Sequence, residues 1–179
     1  MGRAGMLVLM MFALSEGVGA ELSEQLIEEC ASTRRIDPFL MYAVSLVESA
    51  RGYRKGYVRP WPWTLRTPDG PMRFDTREQA QEYLAEAIAR FKPYQIDVGA
   101  FQVNVHWHGK RFEEPAQMLD PVVNCEVAAE ILAEAMASAP KDPVIGVGRY
   151  HTWADEPRAR RYGERVIRIA ANVRRIAMR

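Results

Sequence analysis

Three helix starts in this chain are written in the same way. Asp37-Pro38, Asp120-Pro121 and Asp142-Pro143 each put a carboxylate directly before a proline. The carboxylate accepts from the free N–H groups of a first helical turn. Proline fixes φ at a position whose N–H would have no helical partner. Asp75 offers a fourth start, with Glu78 three residues on as in a capping box. Apolar residues recurring at helical spacing predict helices over about 22–32, 38–50, 76–91, 121–138, 143–151 and 157–177, with a shorter one after Gly99.

Residues 51–74, "RGYRKGYVRPWPWTLRTPDGPMRF", break this period with glycine, proline and aromatics. Thr67-Pro68-Asp69-Gly70 is a turn signal between the short runs Trp63–Leu65 and Met72–Phe74. A small hairpin is expected there. The chain has 179 residues, of which 48% are hydrophobic, and no linker, repeat or low-complexity segment interrupts it. The expectation is one mainly α domain over residues 21–179, with a small β-hairpin and loop insert lining a cleft.

The first 20 residues read as a secretory signal. Arg3 begins it, Met6–Leu14 is unbroken apolar sequence, and Val18-Gly19-Ala20 is a small-residue cleavage site. Nine apolar residues cannot span a bilayer, which takes about 20. No later segment is apolar enough to span one, so the mature chain is expected to lack a stable membrane span and to lie outside the cytoplasm. Cys30 and Cys125 are then expected to pair, closing a loop of about 95 residues for roughly 4–5 kcal/mol. The net charge of +1 gives no reason to expect nucleic acid as partner. The last helix carries an apolar stripe (Tyr162, Val166, Ile169, Val173, Ile176) and a basic one (Arg161, Arg165, Arg168, Arg175, Arg179) that reads as a solvated face.

One residue breaks the logic of its surroundings. From Pro38 to Val47 only Ser45 and the Tyr42 hydroxyl are polar, so this helix is a buried one. Glu48 ends the run, with Val44 and Met41 one and two turns back on its own face. Desolvation over that patch should raise its pKa, which suits a general acid near neutral pH. The aromatic loop that follows offers Trp61 and Trp63, either as stacking faces for sugar rings or as anchors of the loop.

Five motifs carry a family resemblance: "ESA" at 48–50, "GAFQVN" at 99–104, "LDPVVNCEVAAEIL" at 119–132, "GRYHTW" at 148–153 and "RRYGERV" at 160–166. In this order they resemble the lytic transglycosylase domain, a goose-type-lysozyme-like fold. "PWPWTL" followed by "IDVGAFQVN" resembles the small exported transglycosylases that accompany secretion, conjugation and pilus machines. The resemblance implies a lysozyme-like fold, a periplasmic location, peptidoglycan glycan strands as substrate and components of such a machine as partners. It implies no metal and no cofactor. Glu48 would be the catalytic acid and base, with the Tyr162 hydroxyl reaching it. Ser49 would set the helix end. Gly99 would allow close backbone approach, and Gln102 would bond a substrate acetamido or hydroxyl group. Asn104 and Asp97 belong to the same stretch as further substrate-binding candidates. Tyr150 matches the tyrosine of the family's "AYN" motif, and His151 stands where asparagine is usual. Phe101 replaces a usual methionine, and a long insert ending at Ile96-Asp97 replaces a usual serine-containing segment.

Three other readings compete. A hydrolysing muramidase would want a second carboxylate, with Asp97 the best placed and Asp69 and Asp75 weaker. A metal site could use His106 and His108, which would share a face on a strand, with His151, Glu113 and Glu114. A non-catalytic wall-binding module would keep a cleft and lose the acid, whereas Glu48 is present.

Overall fold

The computed structural model describes residues 22–54 and 56–179, and the expected leader over residues 1–20 lies outside them. The fold is mainly α with a small β insert. Among the described residues the helices are α1 (Glu24–Thr33), α2 (Pro38–Ser49), α3 (Arg77–Arg90), α4 (Val105–His108), α5 (Pro121–Ala137), α6 (Pro143–Gly148) and α7 (Glu156–Ala177). The strands are β1 (Arg51–Arg54), β2 (Tyr57–Arg59), β3 (Thr64–Thr67), β4 (Gly70–Arg73), β5 (Asp97–Val98) and β6 (Val103–Asn104).

The Asp-Pro signals act as the sequence suggests. The side chain of Asp37 accepts from Phe39 N–H, that of Asp120 from Val122 and Val123, and that of Asp142 from Ile145. The fourth start is displaced by one residue. Thr76, not Asp75, caps α3 by accepting from Gln79 N–H, because its hydroxyl stands at the capping distance while Asp75 swings out to pair with Arg51. The shorter helix expected after Gly99 is present, but not at once. Residues 99–102 form a turn, β6 follows, and the single-turn α4 starts only at Val105, capped by Asn104. The sequence "HWH" is therefore helical, not extended, and His106 and His108 do not share a strand face.

The expected hairpin is present as β3–β4, with Thr67 opposite Gly70 across Pro68-Asp69. It is one edge of a four-stranded antiparallel sheet in the order β4-β3-β5-β6, and β1–β2 is a separate antiparallel hairpin. The insert thus carries more pairing than its turn signal alone announces. Short strands of two to four residues leave no period to read.

α2 lies in the centre. Met41, Ala43 and Val44 are fully buried among Leu65, Val98, Phe101, Leu132 and Val166. It packs on α1 on one side and on α7 on the other. α6 and α7 touch at backbone distance. A Cβ on Gly163 would lie 2.0 Å from the Val144 carbonyl oxygen, and one on Gly148 would lie 2.1 Å from that of Ala159. No larger residue fits that crossing. In α7 the buried positions are Ala159, Tyr162, Gly163, Val166 and Ala170, while Ile176 at the end of the expected apolar stripe is exposed. The basic residues Arg161, Arg165, Arg168 and Arg175 are exposed, as expected of a solvated face.

Cys30 of α1 and Cys125 of α5 form a disulfide, with Cα atoms 6.1 Å apart and 95 residues between them in sequence. Such a bond suits an oxidising compartment. Among the described residues no helix is long and apolar enough to cross a membrane. Removing the bond frees a long loop in the unfolded chain. The double variant Cys30→Ser, Cys125→Ser is expected to lose about 4–5 kcal/mol of stability in equilibrium denaturation, where an unchanged midpoint would refute a stabilising role.

Candidate functional site

Glu48 is one residue from the C-terminal end of α2 and is partly buried. Beneath it on the same face are Val44 and Met41, both sealed from solvent. Burial pushes its carboxyl up to about 7. A hydrogen bond from Tyr162 opposes that rise, nearby Asp97 adds to it, and Arg66 and Arg165 oppose it more weakly. Desolvation wins because it acts on the whole carboxylate, while the two guanidinium groups act from a distance through partly hydrated space.

Tyr162 comes from the buried face of α7. Its hydroxyl donates to Glu48 Oε1 at 2.6 Å. Burial and the Glu48 charge hold its own pKa well above the usual tyrosine value, so it stays a donor. Tyr150, at the end of α6, stacks on Tyr162 at 6.4 Å between centroids and donates its hydroxyl to the Phe101 carbonyl at 2.9 Å. Its pKa is likewise raised well above the usual value by burial. His151 lies flat on Tyr162, 4.9 Å between centroids and 5° between planes.

The turn at 99–102 faces this group through Tyr150. Gly99 has φ +87°, and a Cβ there would meet the Asn124 side chain at 2.4 Å. The close approach and the left-handed backbone both require glycine. Asn124, buried in α5, holds the turn: its Oδ1 accepts from Phe101 N–H at 3.1 Å and its Nδ2 donates to the Val98 carbonyl at 3.1 Å. Gln102 sits at φ +48°, unusual for a residue with a side chain. Its Nε2 donates to the carbonyls of Gly99 (2.9 Å) and Thr64 (3.1 Å). The expected substrate contact from Gln102 is thus left to its carboxamide oxygen.

Several candidates prove to serve the protein itself. Ser49 is fully buried, donates to the Ser45 carbonyl and accepts from Trp61 N–H. It ties the helix end to the insert, as expected, and has no exposed surface with which to contact a substrate. Trp63 is 5% exposed and belongs to the core, so it anchors the loop and offers no free stacking face. Trp61 is partly buried. Its Nε1 donates to the Phe74 carbonyl at 2.6 Å, and its ring carries the Arg51 guanidinium at 4.4 Å. It lines a groove of about 790 Å³ together with Tyr42, Tyr53, Tyr57 and Arg54, and Glu48 is not among the lining residues. Asn104 is spent on capping α4 and on bonds from its Nδ2 to the Tyr94 carbonyl and to Asp97 Oδ1. Asp97 receives that bond and two more on Oδ2 from Arg66, at 2.9 and 2.7 Å. It stands near enough to Glu48 to raise its pKa, and all three of its contacts are internal.

The histidines do not converge. His106 meets Tyr94 and Trp107 edge-to-face, His108 lies by Arg111 and Glu134, and His151 is stacked on Tyr162. Glu113 and Glu114 are exposed. Among the described residues, no group of three His, Cys, Asp or Glu side chains is spaced to hold a metal ion.

Three contributors were given no site role by the sequence reading: Arg66, Arg165 and Asn124. Only Asn124 carried a usable signal, a lone amide in the apolar stretch "PVVNCEVAAEIL". A buried amide must be hydrogen-bonded, so it marks a backbone segment that needs holding.

Glu48 makes the fold pH-sensitive. Its pKa rises from 4.5 in the unfolded chain to about 7 in the folded one. The folded state therefore holds the proton more tightly, and the stability present below about pH 4.5 is lost as pH rises through about 7. The loss is about 3 kcal/mol on that shift. Glu48→Gln keeps an acceptor for Tyr162 and cannot ionise. It is expected to be more stable than the wild type by that amount at pH 8 and nearly equal to it at pH 4. Equal stability at both values would show that Glu48 is ordinarily hydrated.

No protein-family model and no curated protein matches this chain, so the likeness to lytic transglycosylases rests on the five short motifs.

Proposed function

We propose that this protein is a peptidoglycan lytic transglycosylase, a lyase that cleaves the β-1,4 bond between N-acetylmuramic acid and N-acetylglucosamine without water. The observation that carries the reading is the Glu48 carboxyl, half-desolvated at a helix end, with its pKa near neutrality and Tyr162 donating to one of its oxygens. With Oε1 accepting from tyrosine, the proton sits on Oε2, free to pass to a substrate oxygen. The five motifs supply the substrate class.

The chemistry needs one carboxyl. Glu48 protonates the glycosidic oxygen and the bond to C1 of the muramoyl residue breaks. The substrate's acetamido oxygen supports the cationic centre. Glu48, now a carboxylate, takes the proton from the C6 hydroxyl of the same sugar, and the C6 oxygen closes on C1. The product is a 1,6-anhydromuramoyl end, and Glu48 is returned protonated. Water is neither added nor lost, and no metal or cofactor takes part. Tyr162 steadies the carboxylate between the two proton transfers. The internal commitments of Asp97 favour this route over a hydrolase with a second carboxylate.

The leader motif and the disulfide support export to the periplasm. The motif subgroup suggests local opening of the wall around a secretion, conjugation or pilus apparatus, with components of that apparatus as partners.

Digestion of purified peptidoglycan by the mature protein, read by mass spectrometry, tests the proposal. Fragments one water lighter than hydrolysed muropeptides are expected. Glu48→Gln should lose about 10²–10⁴-fold in rate. Full-mass reducing ends would identify a hydrolase instead, and wall binding with no fragments would leave a binding module. Activity should fall as pH rises through about 7, where Glu48 loses its proton. In Tyr162→Phe that limb should move to higher pH, because the bond it removes is the one that lowers the Glu48 pKa.

A further inference from the structure

The residue that departs from the family pattern, His151, is held in a way that gives it one chemical identity. It lies in the loop between α6 and α7, where its N–H donates to the Gly148 carbonyl. One turn into α7, Arg158 donates from Nε to His151 Nε2 at 2.9 Å. A guanidinium is only ever a donor, so Nε2 must be the acceptor nitrogen and carry no proton. The groups facing the imidazole are Arg158 and Tyr162 from α7, Arg66 from β3 and Asp97 from β5. Burial and the two arginines keep the ring neutral, against a weaker pull from Asp97. A neutral imidazole with a bare Nε2 has its proton on Nδ1. That nitrogen has no partner among the described residues and is not one of the buried polar atoms. It is an accessible donor on a ring stacked against the tyrosine that holds Glu48.

We infer that Arg158 fixes the tautomer of His151, and that the resulting Nδ1–H donates to a carbonyl or hydroxyl oxygen of the glycan bound beside Glu48. The inference rests on the glycan-cleaving reading of the site. Arg158 is then a positioning residue that touches no substrate, and His151 does with one ring nitrogen what the amide of an asparagine would do. A second role follows from the same contact. The clamp keeps the imidazole from turning over, so the flat face on Tyr162 and the donor beside it are fixed together.

Two measurements on the whole protein separate the inference from the reading beneath it. A long-range proton–nitrogen spectrum, taken above neutral pH, reports which ring nitrogen of His151 is protonated. The wild type is expected to show Nδ1–H, and Arg158→Gln a shift toward Nε2–H. Titration with N-acetylchitotetraose then reports the donor. Arg158→Gln is expected to weaken binding about three- to tenfold, the effect of one lost hydrogen bond. His151→Asn, which keeps a donor amide, should bind like the wild type, and adding Arg158→Gln to it should change nothing. Nε2–H in the wild type would overturn the inference. So would equal affinity of Arg158→Gln and wild type, with the sugar-binding reading left standing. A wild type that shows Nδ1–H and binds no tetrasaccharide would overturn that reading and the donor role together.

Discussion

A carboxyl group at the end of an apolar helix can be hydrated on one side only. α2 is buried along Met41, Ala43 and Val44, and Glu48 is the first ionisable side chain after them. Water cannot reach the side of the carboxyl that rests on this surface, and the neutral acid becomes the easier form to keep. The rest of the site is arranged around that constraint. Tyr162 satisfies one oxygen without supplying a full charge. Had an arginine stood in its place at hydrogen-bond distance, the carboxyl would have been drawn to ionise and the effect of burial would have been cancelled. Arg66 instead faces Asp97, and Arg165 lies on the exposed side of α7.

Holding a tyrosine hydroxyl 2.6 Å from a carboxyl 114 residues away requires rigid supports. They are glycine crossings and buried amides. Gly163 is the next residue after Tyr162, and it lets the backbones of α6 and α7 meet at the Val144 carbonyl. That contact fixes the rotation of α7 about its axis, and with it the direction of Tyr162. From the other side, Asn124 pins the 99–102 turn, and the turn's Phe101 carbonyl receives the Tyr150 hydroxyl. Tyr150 in turn lies against Tyr162. The Glu48–Tyr162 pair is therefore braced from two sides, by the α6–α7 crossing and by the 99–102 turn.

Much of this was legible in the sequence where the signal is local. Asp37, Asp120 and Asp142 cap their helices because an N-cap needs only its own next three residues. Glu48 was legible because an apolar run with one acid at its end is an anomaly at any resolution. Cys30 and Cys125 were legible by arithmetic. What failed depended on small differences in reach or on tertiary rotation. Asp75 and Thr76 are neighbouring cap candidates, and Arg51, 24 residues away, took the aspartate. Trp63 and Trp61 are two residues apart in one loop, yet one is in the core and the other lines a groove, with rings 5.5 Å apart and nearly perpendicular. Arg165 read as a solvated charge because nothing in an amphipathic pattern says which charged edge lies near Glu48. The five motifs predicted the Tyr162–Glu48 contact without any statement of how far apart the side chains would be.

The place of Asp97 bears on the choice between one carboxyl and two. A base that draws a proton from water must be able to turn a free lone pair toward that water. Asp97 is bonded on Oδ2 by two N–H groups of Arg66 and on Oδ1 by Asn104, whose own Oδ1 is fixed by the cap of α4. Freeing Asp97 would cost the Arg66 pair and loosen the start of α4. Its negative charge still reaches Glu48, where it makes the second ionisation in the same cleft harder. In the proposed reaction Asp97 would thus help the one carboxyl remain an acid without sharing its work. That division of roles is the one a single-carboxyl, water-free cleavage needs, and it would be a poor starting point for an enzyme that had to activate water.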